Sequence, residues 1–372
     1  MPACGVVRYD LATLCGLVAE ASKDRAEDFQ RSVHATFFDT YFAELGARTI
    51  LVEEQYTDRD YLEDYAAYYS RCFHEFPRTC RRLHFLSADL SEAEYDKILN
   101  GDASLRDRLE KHYLGFVVVR PIPGYAIGRT CLRTYPERGS EGLRSFPVTR
   151  RYEANLQGLR LSLQSLAFQQ QDRVVAACAT AALWSAFNGT GVVFHHRIPS
   201  PVDITRNATA HITDETRAIP SSGLSPAQMA DAVRACGLEP VMLRTRNVAV
   251  LKGAARAYLL GGIPVLMIGA IFDEKEPAEE KAVHAVTITG FCSKEGETQA
   301  GLLRLESDCI SKFYVHDDGV GPFARMAFEP LDTNGHPTLT TSVAPSSEAI
   351  GSHFFRPEGL LVPVYHKRDA AS

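Results

Sequence analysis

The chain has 372 residues, 45% of them hydrophobic and 23% charged, with a formal net charge of −6. That length favours two domains over one. The slight acidity gives no basic footprint for nucleic acid, and no apolar run reaches the roughly 18 residues a membrane helix needs.

Residues 9–45 read as helices, with Phe29, Val33, Phe37, Phe38 and Phe42 at helical spacing between Asp24 and Leu45. Arg48 to Glu54 reads as a strand, Asp60 to Cys72 as a tyrosine-rich helix, and Arg82 to Ser87 as a short strand. Ser91 and Glu94 form a capping box for a helix that ends near Asn100-Gly101. Leu114 to Arg120 and Ile127 to Thr134 read as partner strands, and 136–142 as a linker. Residues 1–140 are therefore expected to form an N-terminal α/β domain of unknown role. Residues 141–372 are expected to form a second, α+β domain.

In that second domain, a polar run from Gln169 to Asp172 leads into Cys178 and the apolar stretch Ala179 to Phe187. This predicts a loop feeding a buried helix with Cys178 in its first turn. Free N–H groups and the helix dipole at that end favour a thiolate, the form of cysteine that attacks a carbonyl. Ser225 with Pro226 starts a helix that Gly237 closes, Val241 to Arg244 is a strand, and Asn247 to Leu260 is a helix. Strands are expected at 263–272, 282–291, 300–306 and 312–317, in one antiparallel sheet, with a last strand from Gly359 to Tyr365. His284 lies near the start of the second of these strands. Asp317 closes the fourth, and Asp318 follows as the alternate acid. A histidine that accepts the thiol proton and a carboxylate that fixes its tautomer complete the chemistry Cys178 would need. His316 should face away from His284, because neighbouring side chains on a strand point to opposite faces.

Other groups read more simply. Cys72, His74, Cys80 and His84 have poor spacing for zinc, His195-His196 reads as a solvated loop pair, and 273–281 as a charged hairpin tip. Nine cysteines, odd in number and thinly spread, suggest reduced thiols in a cytoplasm. The N-terminus lacks a signal peptide's charged start and long apolar core. No phosphate loop, dinucleotide fingerprint or metalloprotease H-E-x-x-H occurs.

Taken in order, the Gln169–Gln171 run, Cys178, Pro264-Val265, His284 through Gly290, and Asp317 resemble the papain-like cysteine peptidases. Within these, the pattern is nearest to the bacterial peptidases that process double-glycine leader peptides of bacteriocins. The likeness spans about Phe168 to Val320. It departs from the family in having Ala177-Cys178-Ala179 where the family has Asp-Cys-Gly, and in placing Gln171 seven residues before the cysteine rather than six. The resemblance implies a papain-like catalytic domain, a central helix packed on an antiparallel sheet. It also implies catalysis by Cys178, His284 and Asp317, with Gln171 or Gln170 as oxyanion donor and no metal or other cofactor. The expected activity is a cytoplasmic cysteine protease or isopeptidase acting on a peptide or protein. A transglutaminase-like acyl transferase shares its first half-reaction, and an inactive protease-like binding module is the third reading. A partner protein encoded beside it is an expectation of the same kind, whereas nucleic acid and membrane are not expected partners.

Overall fold

The computed structural model describes residues 4–139, 142–172, 174–211, 223–273, 276–294, 305–329, 337–342 and 353–365. The chain divides into two units: Met1–Tyr135 with Arg150–Asp172, and Pro136–Thr149 with Arg173–Ser372.

The first unit is built on a five-stranded antiparallel meander, β1 (Cys4–Arg8), β2 (Thr49–Tyr56), β3 (Cys80–Leu86), β4 (Tyr113–Val119) and β5 (Ile127–Leu132), in that order. Between β1 and β2 lie α1 (Leu11–Ser22), α2 (Ala26–Gln30) and α3 (Val33–Leu45). Then α4 (Arg59–Ala67) precedes β3, and α5 (Glu92–Leu99) and α6 (Ala103–Lys111) precede β4. Every residue of β3 and β4 is buried, as expected of central strands covered on both faces. The helix expected over Asp24 to Leu45 is two helices. Ser32 adopts extended backbone and caps α3 by accepting the Ala35 N–H, so the apolar periodicity runs through a break. The Ser91–Glu94 capping box forms as expected. Strand β1 and helix α6 carry too little periodic signal to be read in advance.

After β5 the chain makes a small hairpin, β6 (Arg138–Gly139) and β7 (Gly142–Ser145), and then a second, β8 (Arg150–Leu156) and β9 (Leu159–Ser165). The boundary expected at 140 is corrected by these hairpins. Tyr152, Ala154, Leu156, Leu161 and Leu163 alternate inward, and Phe168 bridges to Thr130 of β5, so 150–172 completes the core of the first unit. The expected linker is instead the β6–β7 hairpin, which belongs to the second unit.

The second unit contains α7 (Cys178–Val193), α8 (Pro201–Ala208), α9 (Pro226–Ala235), β10 (Glu239–Arg244) and α10 (Val248–Leu260). There follow β11 (Val265–Asp273), β12 (Glu276–Ser293), β13 (Ile310–Asp317), β14 (Gly321–Glu329), β15 (Thr338–Ser342) and β16 (His353–Val364). All pairings are antiparallel, and β11 bonds to both β12 and β16. The strands β11 to β16 therefore form one antiparallel sheet, as expected, but one closed into a six-stranded barrel. Closure needs a close approach at Gly269, where a Cβ would lie 2.2 Å from the Arg356 carbonyl oxygen. β10 adds to β16 outside the ring, and β7 to the end of β12. Of the strand expected at 300–306, residues 300–304 lie outside the described residues, and Glu306–Cys309 is a 3-10 turn leading into β13.

Helix α7 is buried on all sides from Ala179 to Thr190. It packs on β11, β12 and β13 across one face and on α8 and α9 across the other. Trp184 and Phe187 are completely enclosed. An all-round apolar helix of this kind is held by its neighbours rather than by its own propensity, and its first residue is thereby fixed against the barrel.

Candidate active site

Cys178 is the first residue of α7 and is half-buried. Ala177 caps the helix with extended backbone and no side-chain hydrogen bond, and the first intrahelical bond runs from the Ala181 N–H to the Ala177 oxygen. The N–H groups of Cys178, Ala179 and Thr180 thus have no acceptor within the helix. This is the end of a helix where negative charge is stabilised.

Three threonines fix that end. Thr205 Oγ1 donates to the Val175 oxygen at 2.6 Å and lies 3.1 Å from Thr180 Oγ1. Thr287 Oγ1 of β12 donates to the Ala182 oxygen of α7 at 2.7 Å. Sequence reasoning passed over these residues. The one available signal was a threonine recurring at buried positions of an otherwise apolar strand.

His284 lies on β12 directly across from Gly269, which presents no side chain. The strand begins at Glu276, so His284 is mid-strand rather than near the start. Its Nε2 is 3.1 Å from Asp317 Oδ1, and the Cys178 side chain is near enough to help hold its imidazolium. With Nε2 taken by the carboxylate, Nδ1 is the nitrogen left for the sulfur. Asp317 is the last residue of β13, and its Oδ1 also accepts the Gly319 N–H at 3.1 Å. That second bond pins the carboxylate rotamer. His316 packs its ring against Phe323 instead, with centroids 4.7 Å apart.

Burial alone would push the His284 imidazolium down. The charge and hydrogen bond of Asp317, the Cys178 side chain and the charge of Asp318 outweigh it and hold the group well above the usual imidazole range.

Asp318 was expected to serve only in place of Asp317. The turn after β13 instead brings it to the same imidazole, with Oδ1 3.9 Å from His284 Nε2. It is 4% exposed, and neither oxygen has a hydrogen-bond partner among the described residues. Burial, with the nearby Asp317 charge, pushes its carboxyl up to about 7, against the pull of His284. His284, Asp317 and Asp318 could each offer a ligand atom to a metal ion, all within 4.8 Å of one another. The hydrogen-bonded Nε2–Oδ1 contact already accounts for His284 and Asp317 as proton-handling groups.

The two glutamines belong to the first unit. Gln170 is buried; its Oε1 accepts the Ile127 N–H at 3.1 Å and its Nε2 donates to the Gly124 oxygen at 3.2 Å. Its amide braces the turn between β4 and β5, which corrects the expectation of an oxyanion donor there. Gln171 is half-buried. Asp172 accepts the Tyr69 hydroxyl at 2.8 Å. The poor zinc spacing has a structural counterpart, since the His84 ring nitrogens go to Tyr113 and Glu53. His196 is not merely solvated: Nε2 lies 2.9 Å from Thr190 Oγ1 and Nδ1 2.8 Å from the Arg197 oxygen, tying off the end of α7.

All nine cysteines are free thiols. Burial pushes Cys4 and Cys15 up to about 11, Cys131 and Cys236 up to about 12, and Cys80 well above its ordinary value. A limiting amount of alkylating agent at neutral pH should therefore modify Cys178 before any of those five. Peptide mapping by mass spectrometry reads the order, and early labelling of any of the five would contradict it.

No known protein family matches the chain, and no curated protein does. Among solved structures, a crystal structure of UfSP from C. elegans aligns over 77% of this chain and 48%, about half, of its own. The identity is 13% and the TM-score 0.25. A likeness that weak does not establish a shared fold.

Proposed function

We propose that the protein is a cysteine peptidase or isopeptidase working through a thioester acyl-enzyme. The observation that supports this reading is the His284–Asp317 hydrogen bond on β12 and β13 beside Cys178, the first residue of α7. In the proposed cycle, the Cys178 sulfur attacks the substrate carbonyl while Nδ1 of His284 takes or holds the thiol proton. Nδ1 then delivers that proton to the leaving amine as the C–N bond breaks, which leaves a thioester. Water attacks the thioester with His284 as base, the C–S bond breaks, and the thiol is restored. Asp317 holds the tautomer and faces the imidazolium as it forms. The oxyanion would meet the Cys178 N–H at the uncapped helix start.

The finer assignment to a papain-like enzyme, nearest to the double-glycine leader peptidases, belongs to the same proposal. It is supported by the order of Cys178, Pro264-Val265, His284 and Asp317 along the chain. The test is to incubate the protein with a peptide thioester or activated ester and look for an acyl adduct on Cys178 by intact-mass and fragment analysis. An adduct on Cys178 that water discharges supports a hydrolase, whereas discharge only to added amines would move the reading to an acyl transferase. Absence of an adduct, together with a Cys178 no more reactive than a free thiol, overturns the proposal.

A further inference from the structure

We propose that Asp318 is a positioning residue of this site, a second carboxylate that holds the His284 imidazolium jointly with Asp317 and keeps that ring protonated into alkaline pH. The inference rests on the peptidase reading for its functional meaning, but its physical content can be measured without activity.

The geometry is specific. Two consecutive residues of a strand present their side chains to opposite faces, so only one of Asp317 and Asp318 should reach His284. Here β13 ends at Asp317 and the chain turns, with the Val320 N–H donating to the Asp317 oxygen. The turn swings Asp318 back to within 3.9 Å of Nε2. Asp317 makes directed contacts, to Nε2 and to the Gly319 N–H. Asp318 makes no hydrogen bond among the described residues, and its oxygens are sealed from solvent. A buried carboxylate with no directed partner serves no purpose in packing, and leaving it there costs free energy. What it does face is one imidazole. The titratable groups turned toward it are His284 from β12 and Asp317 from β13, with Cys178 of α7 beyond the ring. Among the described residues no lysine or arginine pairs with it.

The charge balance gives the direction. The two carboxylates sit on the Nε2 side of the ring and the sulfur on the other. A negative Asp318 is therefore closer to the imidazolium it stabilises than to the sulfur, and the charged ring gains. Since burial pushes Asp318 up to about 7, its charge arrives as the pH passes neutrality. That is where an unaided imidazolium would already be losing its proton.

The experiment follows the His284 ring resonances of the full chain by NMR against pH, assigned with His284→Gln, in the wild type and in Asp318→Asn. Removing a charge at this distance should lower the His284 midpoint by about one pH unit or more, a tenfold shift in the imidazolium equilibrium. The alkaline limb of any acyl-transfer activity should move with it, which a purely structural role would not produce. In the wild type itself, a step in the His284 shifts near neutral pH should coincide with the titration of the Asp318 carboxyl carbon, so the inference can be decided even where the variant does not fold. An unmoved midpoint, or a wild-type titration without the coupled step, overturns it. If Cys178 labels and acylates while the midpoint stays put, this inference alone has failed. If Asp318 moves the midpoint but Cys178 is inert, the peptidase reading has failed instead.

Discussion

Replacing Cys178 by Ala, or His284 by Ala, should each cut acyl-transfer activity by about 10⁴- to 10⁶-fold, and the double variant should lose no more than either single one. The sulfur that forms the bond and the imidazole that moves its proton act as one unit, so the second removal takes away something already lost. Asp317→Asn should be milder, about 10²- to 10⁴-fold, because the Nε2 contact survives in geometry but loses the charge that supports imidazolium and tautomer. None of these losses should come from unfolding in the case of Cys178→Ala, which removes one half-buried sulfur from a helix start while Thr205 and Thr287 still hold α7 in place. The check is single-turnover kinetics beside denaturant unfolding. A Cys178→Ala protein that keeps activity, or a double variant far worse than both singles, would show that the chemistry lies elsewhere.

The pieces of the site were legible because each obeys a local rule. Small residues and a cysteine before an unbroken apolar run mark a helix start, and α7 begins at Cys178. β-branched residues around His284 mark a strand, and an acidic pair before a glycine marks its neighbour's end, which falls at Asp317. Closure of the barrel was not legible, because it depends on pairing Leu266 with Leu361, partners far apart in the chain whose own composition says only that they are strands. The division into units failed for a related reason. A glycine-bearing polar stretch at 136–142 has a linker's composition, yet Arg138, Gly139 and Gly142 belong to a hairpin whose Leu143, Arg144 and Ser145 pair with β12. Gln170 shows the limit of motif reasoning: its position before the cysteine suggested an oxyanion donor, and its amide is spent on the turn between Gly124 and Ile127. Asp318 was legible as an alternate to Asp317 but not as its companion, because the turn that brings both to His284 lies beyond the strand end.

Asp318→Asn should raise the stability of the folded protein at alkaline pH while leaving it nearly unchanged in acid. In the unfolded chain an aspartate titrates near 4; in the fold, burial and the charge of Asp317 push Asp318 up to about 7. Between these two values the unfolded state has released its proton and the folded state still holds it. The folded state thus binds more protons, and stability falls as the pH rises through this window. Above the folded value the penalty is complete and stays constant. Below about 4 both states are protonated and it vanishes. An asparagine of the same shape cannot ionise, so this slope disappears, and the gain near pH 8 should be on the order of 3 kcal/mol: about 4 from the rise to about 7, less about 1.4 for the lower His284 midpoint. His284 works with the opposite dependence: its imidazolium is held up in the fold, so its contribution is present below about 6.5 and fades only as the pH rises through its higher folded value. Urea unfolding of the wild type and Asp318→Asn at about pH 5 and about pH 8 separates the two, since the His284 contribution is common to both proteins apart from the fall in its folded midpoint. A variant equally stable relative to wild type at both pH values would mean that Asp318 is ionised as easily in the fold as in water. A gain confined to the alkaline side would mean that the fold gives up stability to keep a second carboxylate beside His284. That trade is expected of a group retained for the chemistry of the imidazole rather than for packing.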